Sequence, residues 1–367
     1  MMPTVTFHVP ALPPGTPAGT LFLTGSFRGW ADDPSGWTFR VRDGRITLSA
    51  FFPAGALLDV KVRVQRPDGR SVEEGDAWGG RAPAHKVVVG ADDQVAALRL
   101  RGWQDGQGAG RPGRARPPRE EWTLAAPWGE QPVRVWWPEG LSPAGLPRLI
   151  LHDGQNVFDE GPSFAGASWQ AADAAQALAD AGRPSLLVGL SVDGARVRRY
   201  MPFPIPMNSF QPGADEYLDW LTGPLLAELE RRYGPLPAER RAMLGSSFGG
   251  VVTLYGGLRH PGVFGTLGVM SPSVWPDDHA LLRWLPGRTA PGMRVWVDQG
   301  DHEGASLEDS QRLVREVRAL AEQLRPAVRE VRFQVGEGHW HDEAAWAARL
   351  PEFLAWWLGG LPPGGQA

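Results

Sequence analysis

Four short stretches of this chain join glycine to a nucleophilic or ionisable side chain, and each follows an apolar run. The sharpest is Gly245-Ser246-Ser247-Phe248-Gly249-Gly250, between Arg241-Ala242-Met243-Leu244 and Val251-Val252-Thr253-Leu254-Tyr255. The first run reads as a buried strand and the second as a helix start. Strand, tight glycine turn and helix make up the context in which G-x-S-x-G lifts a serine hydroxyl above a sheet. Small neighbours are needed because the turn brings backbone against backbone. The phase of the motif puts the nucleophile at Ser247, not Ser246. The other stretches are His152-Asp153-Gly154-Gln155-Asn156, Asp298-Gln299-Gly300-Asp301-His302-Glu303-Gly304 and Gly336-Glu337-Gly338-His339-Trp340-His341-Asp342-Glu343. Alone, the serine motif also fits a plain glycine-rich turn. Together the stretches run loop, Ser, acid, His, so that successive strand ends could supply an oxyanion loop, a nucleophile, an acid and a base.

A hydroxyl attacks an ester carbonyl when a neutral His takes its proton and an acid holds that His in the right tautomer. His341 and His339 compete as base. Glu303, Asp301 and Asp298 compete as acid. Two backbone N–H groups must face the developing negative charge. One is expected from Phe248, after the nucleophile and at a helix N-terminus where the dipole helps. The other is expected from Gln155, after the strand 149–151. The spacing His152-x-x-x-Asn156 matches no metal-ligand pattern, and neither metal nor cofactor is expected.

The elements that must hold these stretches alternate. Strands are expected at 133–137, 149–151, 185–190, 241–244, 266–270, 294–297 and 331–335. Helices are expected from Ser168 as cap through Ala181, from about Ala214 to Tyr233, from Ser306 to Leu324 and from about Asp342. Ser306 with Asp309 reads as a capping box. This alternation predicts a doubly wound, mostly parallel sheet with ligands at the carboxyl ends of its strands. Residues 1–100 read differently. Alternating runs at 4–9, 20–24, 45–48 and 60–64, split by turn residues, predict a small β-sandwich. Residues 101–119, with five arginines among Gly and Pro, read as a linker, so the second domain spans 120–367.

The net charge is −4, and 35 of the 37 basic residues are Arg, the exceptions being Lys61 and Lys86. That balance gives no reason to expect nucleic acid as a partner. No cysteine is present, which removes thiol nucleophiles and disulfides. No signal peptide and no membrane span are read, so a cytoplasmic location is expected.

Within the second domain, Leu151 to Asp159, Gly245 to Gly250, Ser271-Pro272-Ser273-Val274-Trp275 and His341 to Trp346 carry a clear likeness. They resemble the "HDGQN-x-FD", elbow, "SPS-x-W" and "H-[ND]-E-x-x-W" segments of the "putative esterase" family, which includes enterochelin and feruloyl esterases. The resemblance implies a serine carboxylesterase of α/β-hydrolase fold with no cofactor. It selects His341 as base, with Trp346 five residues on. It selects Glu303 as acid, three residues after the glycine that ends its strand, with Asp301 as the alternative. The two-domain layout is similar to enterochelin esterases and implies a siderophore-type or other multi-ester small-molecule substrate. Leu23 to Trp30 resembles the "G-x-F-N-x-W" signature of starch-binding modules and their immunoglobulin-like relatives. That likeness implies a glycan partner near Trp30 and Lys61, and a rival function as a carbohydrate-binding protein with an accessory esterase domain. The second Trp of those modules is absent beside Ser71-Val72-Glu73, which favours Trp30 as a core residue.

Overall fold

Alternating apolar residues turn the N-terminal part into strands whose inward faces meet. The computed structural model describes residues 2–104, 116–205 and 211–361. Two compact units emerge: one takes in the N-terminal strands with Glu160–Ala167 and Gly304–Gln311, the other the rest of the described chain. The first unit is all-β. Its strands are β1 (Thr4–Val9), β2 (Thr20–Gly25), β3 (Arg40–Arg42), β4 (Arg45–Phe51), β5 (Leu57–Gln65), β6 (Ser71–Gly75), β7 (His85–Val88), β8 (Gln94–Ala97) and β9 (Gly102–Trp103). One sheet has the order β3-β4-β1-β8; the other runs β2-β5-β6-β9, with β7 on β5. Val5, Phe7 and Val9 of β1 and Leu58, Val60, Val62 and Val64 of β5 point every second side chain into one shared apolar cluster. That is the period-two pattern of strands with one buried face.

Five of these strands are not expected from the sequence, because they are short or polar. One of them moves a boundary. Trp103 pairs with Glu74, so 101–104 is not linker. At the other end, Arg119 N–H donates to the Val135 carbonyl at 2.8 Å. Residues 105–115 of the expected linker lie outside the described residues, as do residues 206–210.

The second unit is built on β10 (Glu120–Ala126), β11 (Gly129–Trp136), β12 (Arg148–Leu151), β13 (Leu186–Leu190), β14 (Arg241–Ser246), β15 (Thr266–Met270), β16 (Ala290–Gly300) and β17 (Val328–Gly336). Their spatial order is β10-β11-β13-β12-β14-β15-β16-β17. β10 and β11 pair antiparallel, and every pairing from β13 to β17 is parallel. β12, β13 and β15 are buried throughout, as a parallel sheet covered on both faces requires. Ile150, Val188, Met243, Val269 and Val297 face one apolar cluster. Leu149, Leu151, Leu187, Leu244 and Trp296 face another.

Among the described residues, eight helices accompany the sheet: α1 (Ala171–Asp180), α2 (Arg196–Tyr200), α3 (Ala214–Trp220), α4 (Leu226–Tyr233), α5 (Phe248–Arg259), α6 (Pro276–Trp284), α7 (Leu307–Leu324) and α8 (Glu343–Gly359). The fold is the expected doubly wound α/β architecture behind an all-β region. Two helix expectations need correction. α1 begins at Ala171 rather than after Ser168: Gln170 takes a left-handed φ of 49°, which no helix continues. The helix expected from 214 to 233 is interrupted by a π turn at Leu221–Leu225. Pro224 has no N–H to bond the carbonyl four residues back, so the helix widens there. Ser306 caps α7, with Asp309 N–H donating to its Oγ at 3.1 Å, while the Asp309 carboxylate accepts from Ala305 N–H, one residue before the cap, at 3.0 Å. Among the described residues, no helix is long and apolar enough to cross a membrane.

Candidate active site

The elbow has the strain its sequence demands. Between the end of β14 and the start of α5, Ser247 adopts φ 59° and ψ −123°, a region that non-glycine residues enter only when their surroundings compel it. Its N–H donates to the Met270 carbonyl at 3.0 Å, and its own carbonyl accepts from Ser273 N–H at 3.3 Å. Gly245 is sterically required, because a Cβ there would lie 2.4 Å from the Gly249 carbonyl oxygen and 2.8 Å from His152 Cδ2. At Gly249 the nearest atoms would be 3.4 Å away, so the close approach is specific to Gly245. Ser247 Oγ lies 3.2 Å from Ser273 Oγ. Among the described residues, Ser247 is not hydrogen bonded to His341. Such bonds commonly tighten only once substrate is bound.

β16 and the loop after it bring Glu303 into a dense set of donors. Its side chain is 0% exposed. Oε1 accepts from Ser271 Oγ at 2.6 Å and from Gly300 N–H at 2.7 Å, with Arg349 Nη2 at 3.4 Å. Oε2 accepts from Gln299 Nε2 at 2.7 Å and lies 2.8 Å from His341 Nδ1. A carboxylate on Nδ1 takes the N–H there and leaves the neutral ring's lone pair on Nε2. That is the tautomer able to receive a hydroxyl proton. The His341 side chain is 38% exposed, and Trp346 packs edge-on against its ring at 5.1 Å. His341 precedes the helix. α8 starts at Glu343, and Asp342 caps it by accepting from Ala345 N–H at 3.0 Å.

The competing acids are engaged elsewhere. Asp301 Oδ1 accepts from Gly338 N–H at 2.7 Å and contacts His302 Nδ1 at 2.6 Å. Asp298 is fully buried; it accepts from Trp296 Nε1 at 2.8 Å and lies 3.5 Å from Arg349 Nε. Burial pushes its carboxyl up to about 6, against the pull of Arg349 and Trp296. The competing histidine, His339, lies against Gly336, where a Cβ would stand 2.5 Å from its Nδ1. Burial, with Arg349 nearby, pushes its pKa down, and Nδ1 is buried with no hydrogen-bond partner among the described residues.

The loop after β12 also reaches the elbow. Gly154 is required there, because a Cβ would lie 2.5 Å from the Gly189 carbonyl carbon of β13. Gln155 follows in a 3₁₀ turn, its side chain tied by Val192 N–H at 2.9 Å. Phe248 is the first residue of α5, where a backbone N–H has no helical acceptor. His152 is buried and bonded through Nδ1 to Tyr217 Oη at 2.9 Å. Burial lowers its pKa to about 4. Asp153 forms a two-pronged pair with Arg196 at 2.6 and 2.8 Å. No group of three or more His, Asp or Glu able to hold a metal occurs among the described residues.

Several site residues are not singled out by sequence reasoning. Ser271 and Arg349 hold Glu303. Asn156 Nδ2 donates to the buried Glu343 Oε1 at 3.0 Å, linking the His152 loop to the residues after His341. Ser271, Asn156 and Glu343 all lie inside motif segments, which was the available signal. Arg349 lies eight residues past His341 in a helix and carries none.

In the first unit, Trp30 is 39% exposed at φ 61°, which corrects its expected place in the core. A left-handed backbone between Gly29 and Ala31 turns the ring out. Lys61 Nζ lies 2.5 Å from Glu73 Oε1, and Arg63 holds the other oxygen at 2.6 Å.

A family model described as "Putative esterase" matches residues 126–357. The enterobactin esterase FES from Shigella flexneri, solved in the presence of enterobactin, superposes with a TM-score of 0.57 at 16% identity, over 93% of this chain and 88% of that one. The siderophore hydrolase EstA from Aspergillus nidulans superposes with a TM-score of 0.53 at 16% identity, over 67% of this chain and 97% of that one. The uncharacterized protein YbbA of Bacillus subtilis (strain 168) is 24% identical over 174 residues, 46% of this chain. The chain spans 66% of that relative's length.

Proposed function

The chain belongs to the esterase family, and from that premise we propose that it cleaves carboxylic esters by a serine mechanism. Ser247 is the nucleophile, His341 the base and Glu303 the acid. The observation that carries this reading is the bond between His341 Nδ1 and a fully buried Glu303, on strand ends of the sheet that also presents the strained Ser247. Attack by Oγ forms a C–O bond to the acyl carbon while His341 Nε2 takes the hydroxyl proton. The N–H groups of Phe248 and Gln155 receive the negative oxygen. Collapse expels the alcohol, protonated by His341, and water then releases the acid by the same route. Glu303 holds the ring and stabilises the imidazolium.

The substrate is a small-molecule ester, and the specific reading is a siderophore-type or other multi-ester compound. The likeness to FES and EstA over most of their length supports it. In the proposed organisation an all-β module precedes the hydrolase, joined through the Gly, Pro and Arg stretch. The test is turnover of p-nitrophenyl acetate, which should be lost in Ser247→Ala while the melting temperature holds. Undiminished turnover in that variant would end the serine reading.

A further inference from the structure

Ser271 follows β15 directly and is 1% exposed. Its φ is 43°, and its N–H donates to the Asp298 carbonyl at 2.9 Å. Three groups surround its hydroxyl oxygen. Trp346 Nε1 donates to it at 3.0 Å and Arg349 Nη2 at 2.8 Å. Glu303 Oε1 lies 2.6 Å away. An indole N–H and a guanidinium donate only, whereas a hydroxyl has one proton and two lone pairs. Both lone pairs are therefore taken, and the one proton is left a single acceptor, Glu303 Oε1. The donor inventory alone fixes the direction of that O–H.

We propose that Ser271 is a positioning residue for the reaction, its hydroxyl locking the Glu303 carboxylate in the orientation that meets His341. This rests on the triad reading above. With Oε1 held by Ser271 and the Gly300 N–H, Oε2 faces Gln299 and the imidazole. Turning the carboxylate would break these bonds together. The hydroxyl also anchors Trp346, whose ring stands against His341. One oxygen thus ties the acid to the ring that flanks the base. The Ser271 hydroxyl itself bonds the acid and the ring beside the base, while the nucleophile's backbone is held by its neighbours, the Met270 carbonyl and the Ser273 N–H.

The experiment measures kcat and KM for p-nitrophenyl acetate in Ser271→Ala, Ser271→Gly, Glu303→Gln and the double variant Ser271→Ala/Glu303→Gln, with thermal melts alongside. Loss of a hydrogen bond to a carboxylate should lower kcat about 10- to 100-fold in both Ser271 variants. KM should stay within about twofold, as expected for an interaction that matters in the transition state. Against a Glu303→Gln background, Ser271→Ala should cost almost nothing further, because residues acting as a unit are not additive. Glycine suits a left-handed φ better than alanine, so Ser271→Gly separates the hydroxyl from backbone strain. Full kcat in either Ser271 variant would overturn the proposal, as would an equal loss in both backgrounds. A damaged Glu303→Gln beside a neutral Ser271→Ala would overturn the positioning role alone. Full activity in Glu303→Gln would overturn the triad reading with it.

Discussion

Two regions of this molecule carry residues that look chemical in the sequence, and they treat them in opposite ways. In the parallel sheet, buried side chains hold one another and leave reactive atoms available. Glu303 is bound by Ser271, Gly300 and Gln299 and presents one oxygen to His341. In the N-terminal strands charged side chains pair with one another. Lys61 and Arg63 clamp Glu73; although burial pushes that carboxyl up, the two cations hold it below its ordinary value. Glu74 likewise takes Val62 N–H at 2.9 Å and contacts His85 Nε2 at 2.8 Å. A motif residue signals chemistry when its neighbours orient it without using up its reactive atom.

The widest gap expected from this comparison is between the acids. Glu303→Gln should lower kcat by roughly 10⁴-fold, the loss seen when a triad acid is made neutral. Asp301→Asn, at a carboxylate that meets Gly338 N–H and His302, should stay within a few fold. Equal losses would erase the distinction between them. His341→Ala and His339→Ala should divide the same way, the first abolishing turnover of p-nitrophenyl acetate.

A smaller effect is expected from His152, which is buried beside the elbow yet is given no proton to move. Its folded pKa of about 4 lies below the ordinary 6.5. The unfolded chain therefore binds a proton that the native ring refuses, and stability falls as pH drops from 6.5 through 4. The loss approaches about 3 kcal/mol. Asp298 works in the opposite sense. Its raised pKa of about 6 means stability is present at low pH and is lost as pH rises through that value. The difference in unfolding free energy between the native chain and His152→Gln, followed by denaturant titration, should therefore change across pH 6.5 to 4. A constant difference would show that His152 takes up its proton as freely folded as unfolded.

The smallest effect belongs to the N-terminal strands. Lys61→Met should cost about 1 kcal/mol, as for a partly exposed ion pair, and leave small-ester turnover unchanged. Because Lys61 is occupied by Glu73, Trp30→Ala should not alter retention on amylose. A Trp30-dependent retention would instead support the carbohydrate-binding reading.

Strands of the parallel sheet were legible because they are continuous apolar runs, and their ends because glycine and polar residues cluster there. Ser247 follows from the phase of one motif. What sequence could not supply was contact between distant segments. Nothing local says that Arg349 turns inward to Glu303 and Asp298, or that Asn156 meets Glu343. Nor does composition reveal Gly102-Trp103 as a strand, since two residues carry no period. The split of the 214–233 helix was readable from Pro224, which a helix interior does not accommodate without adjustment.

The central claim is that one serine, raised on the elbow, does the chemistry. Treatment with a fluorophosphonate followed by peptide mass mapping tests it most directly. Ser247 should carry one adduct, and Ser247→Ala none. An adduct on Ser246, or on Ser273 whose hydroxyl lies 3.2 Å from that of Ser247, would contradict it.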